Sequence, residues 1–389
     1  MNCKKNKRQI FYVIFCYDTY SPIRLKISRM KIICPLAGVG KRLQPFTFSK
    51  PKAFLKVAGK RAIDHILLKL KNSFPQDSKL CFIVGYKKRQ IIEYLEHHFS
   101  EYFNLEFIEQ EPLGYSADEP FFSGLGDAIL LAKDFVNGDD CFIFLSDRLP
   151  IEDYSQMLLA FHQNECDAVI NVRKVENPQY YGVVVIDEQN NISEIIEKPQ
   201  NYVSNYAVSG AYVFGSSITS KLFQFLEEQS KIRLQNGEEH QFSPVIQKLI
   251  NEGACIKISE MHREILDFGR PNSLLEANKA LLSESKINDP LYEVQDTSRK
   301  INNTKINPPV YIGENVSISN SVIGPNVSIG DDLNIDKCII SESVIGDGVR
   351  LKKLITSNSI IGDYSILEDL IKNGITIGDS SYIATSKEL

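Results

Sequence analysis

The sequence lacks the patterns that mark disulfide-stapled, nucleic-acid-binding and membrane-spanning proteins. Its eight cysteines are dispersed along 389 residues and form no C-x-x-C pair, so we expect reduced, mostly buried thiols in a cytoplasmic protein. The formal net charge of −5 argues against general binding to nucleic acid. The last of the six histidines is His262, so the residues after it contain no imidazole that could serve as a general base.

Residues 1–29 are basic and contain one short apolar run, from Ile10 to Tyr17. This run is too short to cross a bilayer, is ended by Asp18 and has no small-residue cleavage site. We therefore expect neither a membrane anchor nor a signal peptide. We interpret residues 1–29 as a basic, poorly ordered extension that precedes Met30.

Short apolar runs alternate with amphipathic segments from residue 30 to about residue 285. Leu80–Val84 is followed by Gln90–His98, and Cys141–Leu145 is followed by Tyr154–Gln163. This alternation predicts an α/β domain with a mainly parallel sheet and helices on both faces. Ligands of such sheets bind at the carboxyl ends of the strands, so we expect the functional residues at that edge.

A different periodicity follows a polar linker at residues 286–307. Ile-Gly-Asp recurs at Ile329, Ile345, Ile361 and Ile377, sixteen residues apart each time. A short, fixed period with regularly spaced aliphatic residues predicts a parallel β-helix, here over residues 308–385. We expect this domain to have a structural role or to assemble the chain into a homo-oligomer.

A glycine-rich turn follows the first apolar run of the α/β region, Lys31–Cys34. Glycines such as Gly38 and Gly40 let backbone N–H groups approach a phosphate chain closely. Arg42 can form a forked contact with phosphate oxygens, whereas Lys52 provides a mobile point charge. This combination is typical of a site for a polyphosphate substrate.

The pattern G-x-G-x-R-L-x-P-x-T-x-x-x-P-K in this segment resembles the signature loop of sugar-1-phosphate nucleotidylyltransferases. The likeness is greatest to the glucose-1-phosphate thymidylyltransferase-like group that carries a C-terminal hexapeptide-repeat domain. The resemblance implies a Rossmann-like, GT-A-like catalytic domain followed by a left-handed β-helix. It also implies catalytic roles for Arg42 and Lys52, and nucleotide contacts from Leu36, Ala37, Gly38 and Gly40.

Two aspartates at predicted strand ends are candidates for a metal site. Asp147 follows the buried run that starts at Cys141, and Asp267 precedes a predicted helix. Mg²⁺ is commonly held by one or two carboxylates together with phosphate oxygens and water. The resemblance supports both aspartates as Mg²⁺ ligands and Asp147 as a catalytic residue, although Arg148 stands where the family usually has a neutral residue.

A nucleobase contact is predicted at Gln110, at the end of another predicted strand. A glutamine amide can both donate to and accept from the edge of uracil or thymine. Two glycines could lie beside it: Gly124, which leads into a helix and resembles the family's G-L-G-x-A-I motif, and Gly114, which is closer in sequence. We favour Gly124.

Three later segments resemble the family's Y-G-V, E-K-P and S-N-x-A-x-x-G motifs, in that order. A glycine lets the backbone approach a sugar ring, a glutamate accepts from hydroxyl groups, and a lysine neutralises a phosphate. The resemblance implies that the sugar phosphate is bound by Gly182, Glu197, Lys198 and Val208.

These motifs predict transfer of a nucleoside monophosphate from a nucleoside triphosphate to a sugar-1-phosphate. We favour dTTP or UTP and glucose-1-phosphate as substrates; guanylyl transfer to mannose-1-phosphate is an alternative. A non-catalytic, nucleotide-sugar-binding regulatory subunit is a second alternative, but it would be expected to lose one of four charged residues that are present here. The repeat without histidine also disfavours an added acetyltransferase activity.

Overall fold

The computed structural model describes residues 27, 29–116, 119–163, 165–236, 239–284 and 299–385. Most of the predicted extension, residue 285 and residues 286–298 of the predicted linker lie outside the described residues. Ile27 and Met30 are buried in the core of the first domain. No helix in the described part of the chain combines the length and apolar character needed to cross a bilayer.

The first domain is built on a nine-stranded sheet with short accessory strand pairs around it. Its strands, in chain order, are β1 (Lys31–Pro35), β2 (Lys56–Val57), β3 (Lys60–Arg61), β4 (Lys79–Val84), β5 (Asn104–Glu109), β6 (Gly114–Ser116), β7 (Glu119–Phe121), β8 (Cys141–Phe144), β9 (Arg148–Pro150), β10 (Ala168–Lys174), β11 (Gly182–Ile186), β12 (Ile192–Glu197), β13 (Tyr206–Phe214), β14 (Ile256–Glu260) and β15 (Ile265–Asp267).

The helices cover both faces of this sheet and bury their apolar residues in two core clusters, one on each face. They are α1 (Ala62–Ser73), α2 (Lys88–Phe99), α3 (Leu125–Leu130), α4 (Lys133–Val136), α5 (Ser155–Gln163), α6 (Ser216–Asn236), α7 (Ser243–Asn251) and α8 (Pro271–Glu284). In α1, Ile63, Ile66 and Leu70 follow the helical period and are fully buried. The Asp64 carboxylate accepts from the Arg61 N–H at 3.1 Å and caps the start of this helix.

The order of the central strands is β12-β11-β13-β8-β1-β4-β5, with β10 and β14 paired beyond β13. β1 pairs in parallel with both β4 and β8, and β4 pairs in parallel with β5. Of these strands, all except β12 and β13 run in one direction. The predicted mainly parallel sheet is therefore confirmed, and the carboxyl ends of its neighbouring strands lie along one edge.

The second domain consists of short parallel strands stacked in curled sheets, consistent with the expected left-handed β-helix. Its strands are β16 (Lys300–Asn302), β17 (Lys305–Ile306), β18 (Val310–Ile312), β19 (Ser317–Ser319), β20 (Val322–Ile323), β21 (Val327–Ile329), β22 (Asn334–Asp336), β23 (Ile339–Ser341), β24 (Val344–Ile345), β25 (Arg350–Ser357), β26 (Ile360–Ile361), β27 (Ile366–Ile371), β28 (Thr376–Ile377) and β29 (Tyr382–Ala384).

The sixteen-residue period places equivalent isoleucines directly over one another. Ile345 pairs with Ile329 on one side and with Ile361 on the other. The first coil begins earlier than residue 308, because β16 and β17 already pair with β19 and β20. The period there is seventeen rather than sixteen residues, as Ile301 pairs with Ile318, which hides the first coil from a search for the regular repeat.

Candidate active site

The ends of three parallel strands bring the predicted nucleotide loop and base contact together. The backbone N–H of Leu36, just after β1, donates to Ile83 O at 2.7 Å. The backbone N–H of Gln110, just after β5, donates to Val84 O at 2.8 Å. Ala37 accepts from the Tyr86 N–H at 3.0 Å. The segment from Leu36 to Gly40 therefore lies on the carboxyl edge of the sheet, as the sequence predicted.

The two glycines of the loop have different structural roles. Gly38 is exposed, and a Cβ added there would meet no atom within 4 Å. Gly40 has a φ of +75°, and its Cβ would lie 3.0 Å from Lys52 Cβ. Gly38 thus leaves open space over the loop, whereas Gly40 permits both the left-handed turn and the approach of Lys52. Arg42 lies two residues after Gly40 and is exposed to solvent.

Lys52 and Asp147 form an ion pair under this loop. Lys52 Nζ lies 3.0 Å from Asp147 Oδ2, with 21% and 28% of the two side chains exposed. Burial favours the neutral acid, but the charges of Lys52 and Arg148 outweigh it and lower the pKa of Asp147 to about 2. Asp147 is consequently a carboxylate at neutral pH, held beside a cation.

Asp267 lies next to Asp147 because β9 and β15 pair antiparallel, with Asp267 opposite Arg148. Phe268 N–H donates to Asp147 O at 3.0 Å, which ties the two segments together. Arg148 Nη1 is 3.2 Å from Asp267 Oδ2, and Gly269 N–H donates to Asp267 Oδ1 at 2.6 Å. Each predicted metal ligand therefore has its own cationic partner.

The residues present fit a magnesium ion by the chemistry of their donors. Asp147 and Asp267 provide two carboxylates from adjacent segments at one edge of the sheet, which suits a metal that also takes phosphate oxygens and water. No group of three or more His, Cys, Asp or Glu side chains that could hold a metal occurs among the described residues. An ion at this position would have to share the carboxylates with Lys52 and Arg148.

Gln110 is buried, with only 5% of the residue exposed. Its amide Nε2 donates to Ser123 Oγ at 3.2 Å and approaches Gly124 O at 3.4 Å. The structure thus places Gly124 against Gln110, whereas Gly114 starts β6 and faces Phe121. These contacts orient the amide and leave its carbonyl oxygen as the group that can accept a hydrogen bond.

Packing within the protein explains why residue 124 is glycine. Its φ is +109°, and a Cβ would lie 2.7 Å from His240 O. His240 is itself fully buried, and its Nδ1 is 2.8 Å from Asp127 Oδ1. The sequence motif at Gly124 therefore reflects a close approach of two protein segments beside the predicted base contact.

The predicted sugar contacts lie next to Arg148. Gly182 is opposite Glu197 across β11 and β12, and a Cβ on Gly182 would be 2.9 Å from Glu197 Oε2. Val208 continues this surface on β13, where Ala207 pairs with Val183. Lys198 is mostly exposed, has a φ of +47° and lies 3.5 Å from Glu197 Oε1 through its Nζ.

Arg148 connects the aspartates with this sugar region. Its guanidinium lies 5.4 Å from the Tyr181 ring, and a Cβ on Gly210 would be 3.0 Å from Arg148 Cγ. The sequence marked Arg148 only as a departure from the family pattern. Its ion pair with Asp267 could not be found from sequence, because it depends on the pairing of two short strands far apart in the chain.

Sequence reasoning also missed a contact that covers the nucleotide loop. Glu119, on the β6–β7 hairpin, accepts a hydrogen bond from the Gln44 side chain, and its Oε2 lies 3.7 Å from Lys41 Nζ. The hairpin starts at Gly114, the glycine that was the second candidate for the position beside Gln110. The sequence of this stretch offered no signal for the partner of Glu119.

Comparison with known proteins shows the family of the first domain. Residues 34–284 match the family described as Nucleotidyl transferase. The chain belongs to this nucleotidyltransferase family. The match covers the strands that carry the glycine-rich loop, both aspartates and the predicted sugar contacts.

Curated relatives share the first domain. The bifunctional protein GlmU of Methanocaldococcus jannaschii is 34% identical over 253 residues, which are 65% of this chain and 54% of that protein. The low-salt glycan biosynthesis nucleotidyltransferase Agl11 of Haloferax volcanii is 30% identical over 260 residues, 66% of this chain and 68% of the relative. The chain thus spans about half the length of the first of these relatives.

Solved structures resemble the same domain. A Bacillus anthracis protein assigned as a glucose-1-phosphate thymidylyltransferase, in complex with sucrose, is 26% identical, with a TM-score of 0.52 over 65% of this chain and 94% of that one. A UTP-bound UDP-glucose pyrophosphorylase of Acinetobacter baumannii has a TM-score of 0.54 at 22% identity, over 66% of this chain and 95% of that one. The latter likeness shows the fold alone.

Proposed function

We propose that this protein transfers a nucleoside monophosphate from a nucleoside triphosphate to a sugar-1-phosphate and releases pyrophosphate. The observation that carries the proposal is the Lys52–Asp147 ion pair, which lies beneath an open glycine-rich loop and beside Asp267. A cation and two carboxylates at this edge suit the α-phosphate and its metal. The neighbouring segment with Gly182 and Glu197 suits the acceptor.

The loop and its cations are proposed to bind the triphosphate. Backbone N–H groups around Gly38 can approach phosphate oxygens because no side chain fills that space. Exposed Arg42 can form a forked contact with the phosphates, while Lys52 supplies positive charge near the α-phosphorus. Both cations would stabilise the negative charge that develops on the phosphates during transfer.

Asp147 and Asp267 are proposed to hold Mg²⁺, which would neutralise phosphate charge and orient the reacting groups. The low pKa of Asp147 keeps its carboxylate ionised for this purpose. Lys52 and Arg148 pair with the two carboxylates in the structure, so the ion would share the carboxylates with these cations, whose positive charge also suits the anionic substrates.

The reaction proposed here needs no covalent enzyme intermediate. A phosphate oxygen of the sugar-1-phosphate attacks the α-phosphorus, a new P–O bond forms, and the bond to the pyrophosphate leaving group breaks on the opposite side. The protein contributes by holding the reactants in line and by stabilising the charge on the α-phosphate. Gln110 is proposed to contact the base, with Gly124 behind its amide.

We favour dTTP or UTP with glucose-1-phosphate and a Mg²⁺-dependent reaction, as the sequence motifs imply, and a cytoplasmic location, as the dispersed cysteines imply. The name of the Bacillus anthracis neighbour supports this choice of sugar and base. Guanylyl transfer to mannose-1-phosphate and a non-catalytic regulatory subunit remain the alternatives to be tested.

Pyrophosphate release over a matrix of nucleoside triphosphates and sugar-1-phosphates would test the proposal. We expect release with dTTP or UTP and glucose-1-phosphate, and no consumption of acetyl-coenzyme A in a parallel assay. Release only with GTP and mannose-1-phosphate would favour the guanylyl alternative. Nucleotide-sugar binding without release from any substrate pair would favour the regulatory subunit.

Replacement of the aspartates tests their role in the reaction. We expect Asp147→Asn and Asp267→Asn each to lower kcat by about 100-fold or more while the protein stays folded, because each removes a charged metal ligand. Asp139→Asn is the control, since Asp139 is half exposed and its carboxylate lies 3.4 Å from Nζ of Lys31, at the start of β1 and not at the carboxyl end where the site lies. Activity near that of wild type at limiting Mg²⁺ would contradict the assignment of the aspartate concerned.

A further inference from the structure

The β-helix carries a column of four aspartates, one from each Ile-Gly-Asp unit. We call Asp331, Asp347, Asp363 and Asp379 the aspartate column. The parallel register that stacks Ile329, Ile345, Ile361 and Ile377 places these carboxylates above one another. The column therefore follows from the sixteen-residue period of the β-helix.

One oxygen of these carboxylates stabilises the β-helix itself. Asp347 Oδ1 accepts from the Asp331 N–H at 3.0 Å, and Asp363 Oδ1 accepts from the Asp347 N–H at 3.0 Å. Asp379 continues the series with a 2.8 Å contact to the Asp363 N–H. Because Oδ1 caps the backbone of the preceding coil, Oδ2 of each carboxylate is left to face outwards.

The outward oxygens bind two lysines of the first domain. Lys56 Nζ lies 2.8 Å from Asp347 Oδ2 and 3.1 Å from Asp331 Oδ2, and it also reaches Asp347 Oδ1 at 2.9 Å. Lys50 Nζ lies 3.0 Å from Asp379 Oδ2 and also contacts Asp363. The lysine side chains are only 28% and 18% exposed, so solvent screens these ion pairs less than ordinary surface pairs.

These two lysines flank the proposed catalytic lysine in sequence. Lys50 precedes Lys52 by two residues and Lys56 follows it by four. Lys52 starts the short 3₁₀ helix Lys52–Phe54 and points to Asp147, while its two neighbours point to the β-helix. The segment is therefore held on one side by the aspartate column and on the other by the active site.

Further contacts fix the rest of this segment against the second domain. Ser49 Oγ donates to Asp379, which also pairs with Lys50. Asn278 Oδ1 accepts from the Ala58 N–H at 2.9 Å and from Ser328 Oγ at 2.6 Å, which joins the first domain to the β-helix. Both ends of the segment around Lys52 are thus attached to the repeat.

We propose that Lys50 and Lys56 are positioning residues, whose ion pairs with the aspartate column hold Lys52 at Asp147. The β-helix then acts as a template for the catalytic loop and is not only a stabilising or assembling domain. This inference rests on the proposed function, because Lys52 is assigned there to the α-phosphate. A displacement of about 1 Å of such a group is enough to lower the rate substantially.

The experiment compares Lys50→Met, Lys56→Met and the double variant with wild type. Methionine keeps the apolar stem and removes the charge. Lys353→Met is the matched control, because Lys353 Nζ pairs with Asp369 Oδ1 at 3.0 Å within the β-helix. Steady-state pyrophosphate release, thermal melting and mass-spectrometric rates of chemical labelling of Lys52 are measured on the full chain.

We expect the double variant to lose about tenfold or more in kcat, which corresponds to about 1.4 kcal/mol of transition-state stabilisation. The KM for sugar phosphate should change by less than about twofold, and Lys52 should be labelled several-fold faster. Lys353→Met should match wild type in kcat and labelling. Lys50→Arg and Lys56→Arg should restore most of the rate, because arginine keeps the charge.

A second arm removes charge from the column. Asp347→Asn keeps Oδ1 as the acceptor for the Asp331 N–H but loses the charge that binds Lys56. We expect its effect on kcat and that of Lys56→Met to be strongly non-additive in the combined variant. Additive effects would overturn the coupling.

The inference is overturned if the double Met variant melts lower but keeps its kcat and Lys52 labelling rate. That outcome would make the ion pairs purely structural. If wild type releases no pyrophosphate with any substrate pair, the proposed function fails, and Lys52 labelling alone decides the positioning role. Unchanged labelling would reject it, and faster labelling in the double variant would support it.

Discussion

At the scale of single residues, the candidate active site contains two ion pairs that lie on adjacent segments. Asp147 pairs with Lys52, and Asp267 pairs with Arg148. Lys52 and Asp147 were both recognised from their motifs, and so was Asp267. The two members of each pair come from distant parts of the chain. The cations neutralise the carboxylates in the structure, so metal binding must compete with them.

Replacement of Arg148 tests this competition directly. Arg148→Gln should tighten Mn²⁺ binding in the absence of substrates by about fivefold, because a cation 3.2 Å from Asp267 Oδ2 is removed. Titration calorimetry or electron paramagnetic resonance measures the affinity. Arg173→Gln is the control, since Arg173 also lies 5.4 Å from the Tyr181 ring but donates to Tyr181 Oη at 3.4 Å, whereas Arg148 pairs with Asp267.

Equal Mn²⁺ affinities for wild type and Arg148→Gln would show that Arg148 does not hold Asp267 away from the metal. Tightening by the same factor in Arg173→Gln would attribute the effect to general charge rather than to the ion pair. The experiment measures binding alone, so its result does not depend on which sugar the enzyme uses.

At the scale of elements, the glycine-rich loop contains one left-handed turn, at Gly40, and one open position, at Gly38. Gly40 adopts a positive φ where the chain enters the 3₁₀ helix Lys41–Leu43, and Lys52 packs directly against it. Gly38 has no such constraint. The two glycines of one motif therefore differ in structure: Gly40 is required by the turn, whereas Gly38 leaves open space that we propose is used by the nucleotide.

Gly40→Ala and Gly138→Ala form a matched pair for this interpretation. Both positions have positive φ, +75° and +78°, but only at Gly40 would the new Cβ crowd Lys52. Each change should cost about 1–2 kcal/mol of stability through backbone strain. Gly40→Ala should in addition lower kcat, which melting curves and steady-state kinetics together would reveal. Equal kcat values in the two variants would contradict the proposal that the close packing of Gly40 on Lys52 matters for the reaction.

At the scale of the whole molecule, the two domains share core as well as charge. Val344 and Ile360 of the β-helix belong to the same buried cluster as Phe54 and Leu274 of the first domain. The second domain therefore completes a face of the first, next to the segment that carries Lys52. A homo-oligomer, which we also expect, would use the surfaces that remain.

Deletion of residues 299–389 should lower both stability and rate. It removes Val344 and Ile360 from the shared cluster and leaves Lys50 and Lys56 without the aspartate column. We expect a lower melting temperature, and a kcat that is measurable but reduced at least as much as in the double Met variant. Light scattering on both proteins would report any change of assembly. Wild-type kcat in the shortened protein would contradict the template role of the β-helix.

Local sequence was sufficient for the features that depend on neighbouring residues. The alternation of apolar runs determined the α/β sheet, because strand and helix periods differ. The Ile-Gly-Asp period determined the β-helix, because equal spacing stacks equal side chains. Gly38, Gly40, Lys52 and Asp147 could be placed at one edge, because the ends of parallel strands meet there.

Only the tertiary structure decided which charges meet. Asp267 pairs with Arg148, and the aspartate column pairs with Lys50 and Lys56. Glu119 pairs with Lys41, which follows the nucleotide loop. In each case the two partners lie far apart in the sequence. An ion pair has no sequence period, since a charged side chain can pair with any opposite charge that the fold brings within a few ångströms. The sequence therefore determined the two domains and the chemistry of the site, whereas the packing of one domain on the other determined what holds Lys52 in place.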